Sequence, residues 1–308
     1  MIDNEPLNQL CHGDDEVFGA ADFEDGLDDR LVVCFFIEHL RLFGDQLLDD
    51  IAIIRRQGFP HFGAGVFGRN DFADVDHLGR LYENNTYTQK HIESVLALDL
   101  VDVDAIRSAG FKVAIDCVNS VGGIVIPELL KALGVKDVIE LNCTPDGKFP
   151  HNPEPLPENL TQIAGVMKEG KADVGFVVDP DVDRLAIVCE NGEMFVEEYT
   201  LVAVADYVLK HTPGNTVSNL SSSRALRDVT RLYGQQYNAS AVGEVNVVTL
   251  MKQTGAVIGG EGNGGVIYPA SHYGRDALVG IALFLSHLAK EKKTVSQLKA
   301  TYPAYSIA

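Results

Sequence analysis

The sequence is short of basic side chains, and this shortage excludes several classes of partner. Its 308 residues carry 25 Lys and Arg against 44 Asp and Glu, which gives a formal charge of −19. Nucleic acids and anionic membrane surfaces attract proteins through Lys and Arg, so neither is expected as a partner. No apolar run approaches the roughly 18 residues of a membrane-spanning helix. Residues 1–15 are also too acidic for a signal peptide.

Cysteine is scarce as well, and its spacing excludes the common zinc sites. The five cysteines are Cys11, Cys34, Cys117, Cys143 and Cys189, and none forms a CxxC pair. Scattered single cysteines are typical of a reducing compartment and do not fit a zinc cage. Apolar residues make up 46% and charged residues 22% of the chain, which is the composition of globular domains. We therefore expect a soluble cytoplasmic protein.

The first 72 residues differ in composition from the rest of the chain. No lysine precedes Lys90, whereas residues 1–70 contain 14 acidic residues, 5 arginines and 8 of the 14 phenylalanines. Two interpretations stay open for this irregular segment. It is either a small acidic helical subdomain or a segment of foreign or out-of-frame origin, and no function is assigned to it.

From residue 73 onward, strand and helix patterns alternate, which indicates an α/β fold. In the first half the patterns predict strands at Val113–Asp116, Val138–Leu141, Val174–Val178 and Leu185–Cys189, with apolar helical stripes over Ile126–Leu133 and Leu160–Met167. In the second half they predict strands at Val217–Leu220 and Ala256–Ile258, helices at Tyr199–Lys210, Ser223–Tyr233, Val245–Thr254 and Asp276–Lys290, and an N-cap at Thr294. The fold expected is two consecutive three-layer α/β/α domains with mainly parallel mixed sheets. Their predicted bounds are 73–194, including a linker helix, and 195–308.

Three aspartates at alternate positions follow the predicted buried strand Val174–Val178. Asp179, Asp181 and Asp183 would repel one another in a compact loop unless a cation shared them. Oxygen ligands select Mg²⁺ or Ca²⁺ over softer metals. Because parallel sheets bind ligands beyond the carboxyl ends of their strands, the loop lies where a site is expected.

Three chemistries could use this acidic loop. An EF-hand would place Asp179, Asp181 and Asp183 at positions 1, 3 and 5, but Arg184 occupies position 6, where the turn needs glycine. A phosphatase of the haloacid-dehalogenase type would use Asp179 as nucleophile and Asp181 as acid, and this alternative stays open. In phosphoryl transfer, the aspartates would hold Mg²⁺ against a phosphate and Arg184 would add positive charge.

A second loop is rich in glycine. Gly260, Gly262 and Gly265 satisfy GxGxxG, which alone is a weak signal for a dinucleotide site. A helix should follow a dinucleotide-binding loop immediately, but the next predicted helix begins only at Asp276. Glu261 would also repel a pyrophosphate. Glu261 and Asn263 on a flexible backbone suit neutral hydroxyl groups better, which favours a sugar.

Together the two loops resemble the α-D-phosphohexomutases, the family of phosphoglucomutase, phosphomannomutase and phosphoglucosamine mutase. Residues 179–184 resemble the family's Mg²⁺ loop, and residues 260–264 resemble its sugar loop, usually written G-E-x-S-G. The segments 116–123 and 242–243 resemble further family features. The resemblance runs from about residue 73 to the C-terminus and covers the family's second and third domains.

The resemblance implies a function and a role for each matched residue. It implies exchange of phosphate between the 1- and 6-positions of a hexose phosphate, with Mg²⁺ held by Asp179, Asp181 and Asp183. It implies that Arg184 supports the phosphate. It also implies that Glu261 and Asn263 orient sugar hydroxyls, with Asn263 in place of the usual serine. A non-catalytic sugar-phosphate-binding module is the remaining alternative.

The family's phosphorylated serine is not found in the sequence. Residues 150–153 have the ending of the family's T-A-S-H-N-P motif but a proline in place of the serine. Residues 270–272 have its beginning but follow the sugar loop, where no nucleophile is expected. The family's fourth domain, which clamps the substrate phosphate, should follow Tyr302. The resemblance therefore implies a mutase core without phosphoryl donor or clamp, and mutase turnover near background is expected.

Overall fold

The computed structural model describes residues 84–305, and the predictions for residues 1–72 lie outside them. The first sheet has four strands: β1 (Lys112–Asp116), β2 (Asp137–Leu141), β3 (Val174–Val178) and β4 (Leu185–Cys189). Their order is β2-β1-β3-β4. β1 pairs in parallel with both β2 and β3, and β3 pairs antiparallel with β4, with Val178 opposite Leu185. β3 and β4 are buried throughout, as their β-branched sequences predict.

The second sheet repeats this arrangement. Its strands are β5 (Thr216–Asn219), β6 (Tyr237–Ser240), β7 (Ile258–Gly260) and β8 (Val266–Ile267). Their order is β6-β5-β7-β8, with β5 parallel to β6 and β7, and β8 antiparallel to β7. Each sheet therefore has three parallel strands and an antiparallel strand at one end, which confirms the predicted class of mixed, mainly parallel sheets.

Helices connect and cover the strands. They are α1 (Tyr87–Leu96), α2 (Val103–Ala109), α3 (Gly122–Ala132), α4 (Thr161–Lys168), α5 (Glu197–His211), α6 (Ala225–Leu232), α7 (Glu244–Thr254), α8 (Ala277–Glu291) and α9 (Val295–Lys299). α8 is buried from Ala277 to Leu288 and packs against α5, and a helix that is apolar on all sides belongs inside a core. The largest hydrophobic cluster contains residues of β1, β3, β4, α5 and α8, so both halves share one core.

Several predicted elements differ from those observed. α3 begins at Gly122, so Pro127 lies inside the helix and not in its first turn. β7 begins at Ile258, two residues later than the predicted strand. β6, β8 and α2 carry too little apolar periodicity to have been predicted. The N-cap at Thr294 is confirmed, and it forms a complete capping box with Gln297.

Within residues 84–305, no helix is both long enough and apolar enough to cross a membrane.

Candidate functional site

The acidic loop joins β3 to β4 at the carboxyl end of β3. Its tight path requires a left-handed backbone at Val182, with φ of 63°, although a β-branched residue is rarely found there. The Val182 side chain is buried in the shared core, and its carbonyl oxygen accepts the N–H of Ala277 at 3.1 Å. Backbone strain of this kind is typical of functional loops that the surrounding structure holds in place.

The three aspartates of this loop converge. One carboxylate oxygen from each of Asp179, Asp181 and Asp183 lies within 4.8 Å of the others. Burial, and then the charges of Asp183 and Asp181, raise the pKa of Asp179 to about 8. Burial also raises the pKa of Asp183, against the charge of Arg275. Burial and mutual repulsion therefore oppose the ionised forms of Asp179 and Asp183, and a cation bound among the three carboxylates would relieve this cost.

One oxygen of this group has no hydrogen-bond partner. Oδ1 of Asp183 is buried and accepts no hydrogen bond, which is costly for a carboxylate. Oδ1 of Asp179, by contrast, accepts the N–H groups of Asp183 and Arg184 at 3.1 and 3.0 Å. An all-oxygen donor set with an unpartnered buried oxygen fits a hard divalent cation such as Mg²⁺.

Arg184 lies beside the carboxylates at the end of the loop. Its Nε is 3.5 Å from Asp179 Oδ2, and its Nη1 is 2.7 Å from Glu154 Oε2. Its side chain is about a quarter exposed, so a phosphate could reach the guanidinium if it displaced the half-exposed Glu154. Glu154, which follows the segment 150–153, belongs to no motif and was not predicted as a site residue.

The sugar loop joins β7 to β8, and its glutamate is held firmly. Glu261 is buried, its Oε1 accepts Asn219 Nδ2 at 2.7 Å, and its Oε2 accepts Arg275 Nη1 at 2.9 Å. Asn219 ends β5, the strand next to β7. Asn263 Oδ1 accepts the N–H of Gly265 at 3.2 Å and so shapes the same turn. Asn219 at the end of β5 and Arg275 just before α8 thus fix the direction of the Glu261 carboxylate.

The two loops touch each other directly. The N–H of Leu185, the first residue of β4, donates to the carbonyl of Gly264 at 3.1 Å. Gly264 has φ of 92°, and a Cβ added there would lie 2.6 Å from the Leu185 carbonyl oxygen. Only glycine allows this approach. The structure therefore brings together the predicted metal residues and the predicted sugar residues.

A cavity of about 190 Å³ opens beside the sugar loop. It is lined by Glu154, Pro155, Leu156, Glu197, Ser221, Gly262 and Asn263. Glu154 is the partner of Arg184, so the cavity lies between that partner and the residues Gly262 and Asn263 of the sugar loop. A larger cavity of about 460 Å³ lies between α6 and β6, and its lining contains none of the predicted site residues.

Two of the histidines form a second cluster with Asp276. His272 Nδ1 accepts the N–H of Gly274 at 3.0 Å, so its Nε2 carries the proton and donates to Asp276 Oδ2 at 2.9 Å. His91 Nε2 is 2.8 Å from the same oxygen. Asp276 Oδ1 caps the first turn of α8. The tautomer of His272 favours a hydrogen-bonded helix cap over a metal site.

The segment 150–153 also has a structural contact. His151 Nε2 lies 3.1 Å from Oδ2 of the buried Asp116, and His151 Nδ1 donates to the Asn152 carbonyl at 2.8 Å. Asp116 ends β1, next to the strand that carries the acidic loop. Glu154, three residues after His151, forms an ion pair with Arg184.

Comparison with known protein families shows which family this chain belongs to. Residues 89–192 match phosphoglucomutase/phosphomannomutase alpha/beta/alpha domain II, and residues 197–305 match alpha/beta/alpha domain III of the same family. The chain belongs to the phosphoglucomutase/phosphomannomutase family. This confirms the resemblance drawn from the two loops.

Individual phosphohexomutases support the same assignment. A probable phosphoglucosamine mutase of Methanopyrus kandleri is 33% identical over 78% of this chain and 52% of its own length. A phosphoglucomutase/phosphomannomutase of Thermococcus kodakarensis is 37% identical over 78% and 53%. A phosphoglucomutase/phosphomannomutase family protein from Burkholderia thailandensis, known from a crystal structure, is 30% identical in sequence to this chain. The match covers 70% of this chain and 46% of the Burkholderia chain, with a TM-score of 0.63. The chain thus spans about half the length of the curated relatives that it matches.

Besides Glu154, two further charged residues of the site were not predicted from the sequence. Glu244 begins α7, directly after the segment 242–243 that resembles a family feature, so its neighbourhood gave a weak signal. Arg275 precedes the predicted start of the helix at Asp276 and belongs to no motif. Both lie in one ionic cluster with Glu261, because three loops of the second sheet meet there.

Proposed function

We propose that the described residues form the metal- and sugar-binding part of a phosphohexomutase, which exchanges phosphate between the 1- and 6-positions of a hexose phosphate. The observation that carries this proposal is the direct contact between the two loops, where Leu185 donates to Gly264 beside the three converging aspartates. A metal ion and a sugar bound to these loops would be neighbours, as phosphoryl transfer to a sugar hydroxyl requires.

Each site residue has a defined task in this proposal. Asp179, Asp181 and Asp183 hold Mg²⁺, which would neutralise charge on the phosphoryl group during transfer. Arg184 contributes two donors to the phosphate oxygens once Glu154 gives way. Glu261 accepts hydrogen bonds from sugar hydroxyls, and its own partners keep it oriented before the sugar arrives. The substrate is glucose, mannose or glucosamine phosphate.

Calorimetry on the full chain tests the proposal. Titration with Mg²⁺ should give saturable binding. A second titration with glucose 6-phosphate or glucosamine 6-phosphate in saturating Mg²⁺ should show weak binding that the unphosphorylated sugar lacks. An exchange assay run in parallel measures mutase turnover. Absence of both Mg²⁺ and sugar-phosphate binding would contradict the proposal.

The haloacid-dehalogenase-like phosphatase is disfavoured by the acidic loop. Oδ1 of Asp179, the nucleophile in that alternative, is turned toward two backbone N–H groups of its own loop. Hydrolysis of a generic phosphate ester that Asp179→Asn abolishes would support the phosphatase. Sugar-phosphate binding without any turnover would support the non-catalytic module.

A further inference from the structure

Arg275 connects the two loops of the proposed site, although no motif includes it. Its guanidinium contacts Asp183 through Nη2, Glu261 through Nη1 at 2.9 Å and Glu244 through Nε at 3.3 Å. The backbone N–H of Arg275 also donates to Glu244 Oε1 at 3.2 Å. Its side chain is only 16% exposed, so these contacts are largely shielded from water.

The geometry suits arginine in particular. A planar guanidinium presents donors in several directions and can bridge carboxylates that a single ammonium group cannot span. The sugar loop is also shaped around this side chain, because a Cβ at Gly265 would overlap the Arg275 methylene groups. Asp183 belongs to the acidic loop and Glu261 to the sugar loop, so one side chain holds the acceptors of both.

Arg275 and a metal ion on the acidic loop would compete for the carboxylate of Asp183. A divalent cation on the three aspartates and the guanidinium of Arg275 would both use Asp183, and two cations on one carboxylate repel each other. The metal would weaken the contact between Arg275 and Asp183 and leave the guanidinium to Glu261 and Glu244. By the same repulsion, Arg275 lowers the affinity of the acidic loop for the metal.

We propose that Arg275 is a positioning residue that couples the two loops: it competes with the divalent cation for Asp183 and orients Glu261 toward the sugar hydroxyls. This inference rests on the proposed function of the two loops. It predicts that bound metal and bound sugar phosphate change each other's affinity, because coupling between two sites is reciprocal.

Substitution of Arg275 should move the two affinities in opposite directions. In Arg275→Gln, Mg²⁺ should bind about tenfold more tightly because a nearby positive charge is gone. Glucose 6-phosphate in saturating Mg²⁺ should bind about tenfold more weakly because Glu261 has lost one of its two holders. A residue that only supports the fold would weaken both affinities together.

Arg275→Lys separates the charge from the bridge. The ammonium group keeps a positive charge near Asp183 but cannot also reach Glu261, so Mg²⁺ affinity should stay within about threefold of the wild type while glucose 6-phosphate affinity falls. Arg231→Gln is the charge-matched control, because Arg231 is exposed on α6 and touches neither loop. It should leave both affinities unchanged.

Isothermal titration of the full chain measures all four proteins, first with Mg²⁺ alone and then with glucose 6-phosphate in saturating Mg²⁺. Tighter Mg²⁺ binding by Arg275→Gln, with weaker sugar-phosphate binding, supports the coupling. Equal or weaker Mg²⁺ binding by this variant overturns it.

If Arg275→Gln does not fold, Arg275→Lys decides, and loss of Mg²⁺ affinity there overturns the proposal. If the wild type binds Mg²⁺ but no glucose 6-phosphate, the proposed function fails, and the Mg²⁺ comparison alone still tests the competition.

Discussion

The acidic loop and the sugar loop occupy the same place in two sheets of the same strand order. Each connects the third strand of its sheet to the antiparallel strand at the end, β3 to β4 and β7 to β8. The neighbouring strands match as well, because Asp116 ends β1 and Asn219 ends β5. The shared topology decides where a site forms, and the side chains decide what it binds.

The loops differ in how their charge is balanced. In the acidic loop, carboxylates lie close together, the pKa of Asp179 rises to about 8, and Asp183 Oδ1 has no hydrogen-bond partner. In the sugar loop, both oxygens of Glu261 are occupied by Asn219 and Arg275. The first loop therefore keeps a buried oxygen without a hydrogen-bond partner, whereas in the second loop both oxygens of the glutamate are held.

The largest effect is expected where the two loops meet. Gly264→Ala places a methyl group 2.6 Å from the Leu185 carbonyl at a positive φ, and it should destabilise the fold by about 3–4 kcal/mol. Gly255→Ala is the matched control, since φ there is also positive, at 60°, but no atom lies within 4 Å of the added methyl. It should cost only about 1 kcal/mol. Urea unfolding measures both, and equal costs would contradict the close contact between the loops.

Asp181→Asn tests the charge imbalance of the acidic loop. The side chain is exposed, so the substitution should leave the fold intact, yet it should weaken Mg²⁺ binding about a hundredfold by removing one ligand. Without metal, the variant should be at least as stable as the wild type, because the negative charge of Asp181 no longer repels those of Asp179 and Asp183. Glu169→Gln, an exposed carboxylate on the C-cap of α4, is the control. Unchanged Mg²⁺ affinity in Asp181→Asn would refute the metal assignment.

Glu261→Gln tests the sugar loop. The amide keeps the shape of the side chain but replaces one acceptor oxygen with a donor, so glucose 6-phosphate affinity should fall about tenfold. Asp173→Asn, which changes a carboxylate that accepts the Lys112 N–H far from the cavity, is the control. Titration calorimetry measures both. If Glu261→Gln binds the sugar phosphate as tightly as the wild type, the loop does not recognise hydroxyl groups.

The smallest effect is expected at the helix cap behind both loops, and it depends on pH. Burial lowers the pKa of His91, but the hydrogen bond and charge of Asp276 outweigh burial and raise it above 6.5. The stabilisation that protonated His91 provides through Asp276 is complete below pH 6.5. It is lost as the pH rises through the raised pKa of His91. His91→Gln should therefore cost about 1 kcal/mol at pH 6 and less at pH 9.

A double-variant comparison identifies the partner of His91. Thermal unfolding of His91→Gln is measured in the wild type and in Asp276→Asn, at both pH values. In the Asp276→Asn background, the cost of losing His91 should no longer depend on pH. A pH dependence that survives there would assign the effect to another group.

The sequence predicted the parts of the fold that carry strong periodicity. β3 and β4 are runs of apolar residues bounded by turns, and α8 carries a long apolar pattern after an aspartate cap, so their existence and nearly all of their ends were predictable. β8 has two residues and β6 reads Tyr-Asn-Ala-Ser, so both depend on pairing with strands far along the chain. These strands form because they pair with neighbouring strands in the folded sheet, and their short local sequences alone do not specify them.

The candidate site was predictable to the same limit. Asp179, Asp181 and Asp183 lie in one short loop, so their convergence could be expected from spacing alone. Arg275 lies 92 positions after Asp183, and only the contact between the two sheets brings it to that carboxylate. Glu154 likewise reaches Arg184 from a separate loop. A site assembled from distant loops has no spacing signal that a single sequence can provide.

The left-handed turn at Val182 has a consequence for dividing the chain. Its carbonyl holds the first N–H of α8, a helix that belongs to the second half, while Leu185 at the start of β4 is tied to Gly264. A cut between residues 194 and 195 would leave the first half with a strained valine, an unanchored acidic turn and an exposed apolar surface. The halves therefore resemble two modules in topology but depend on each other for the geometry of their binding loops.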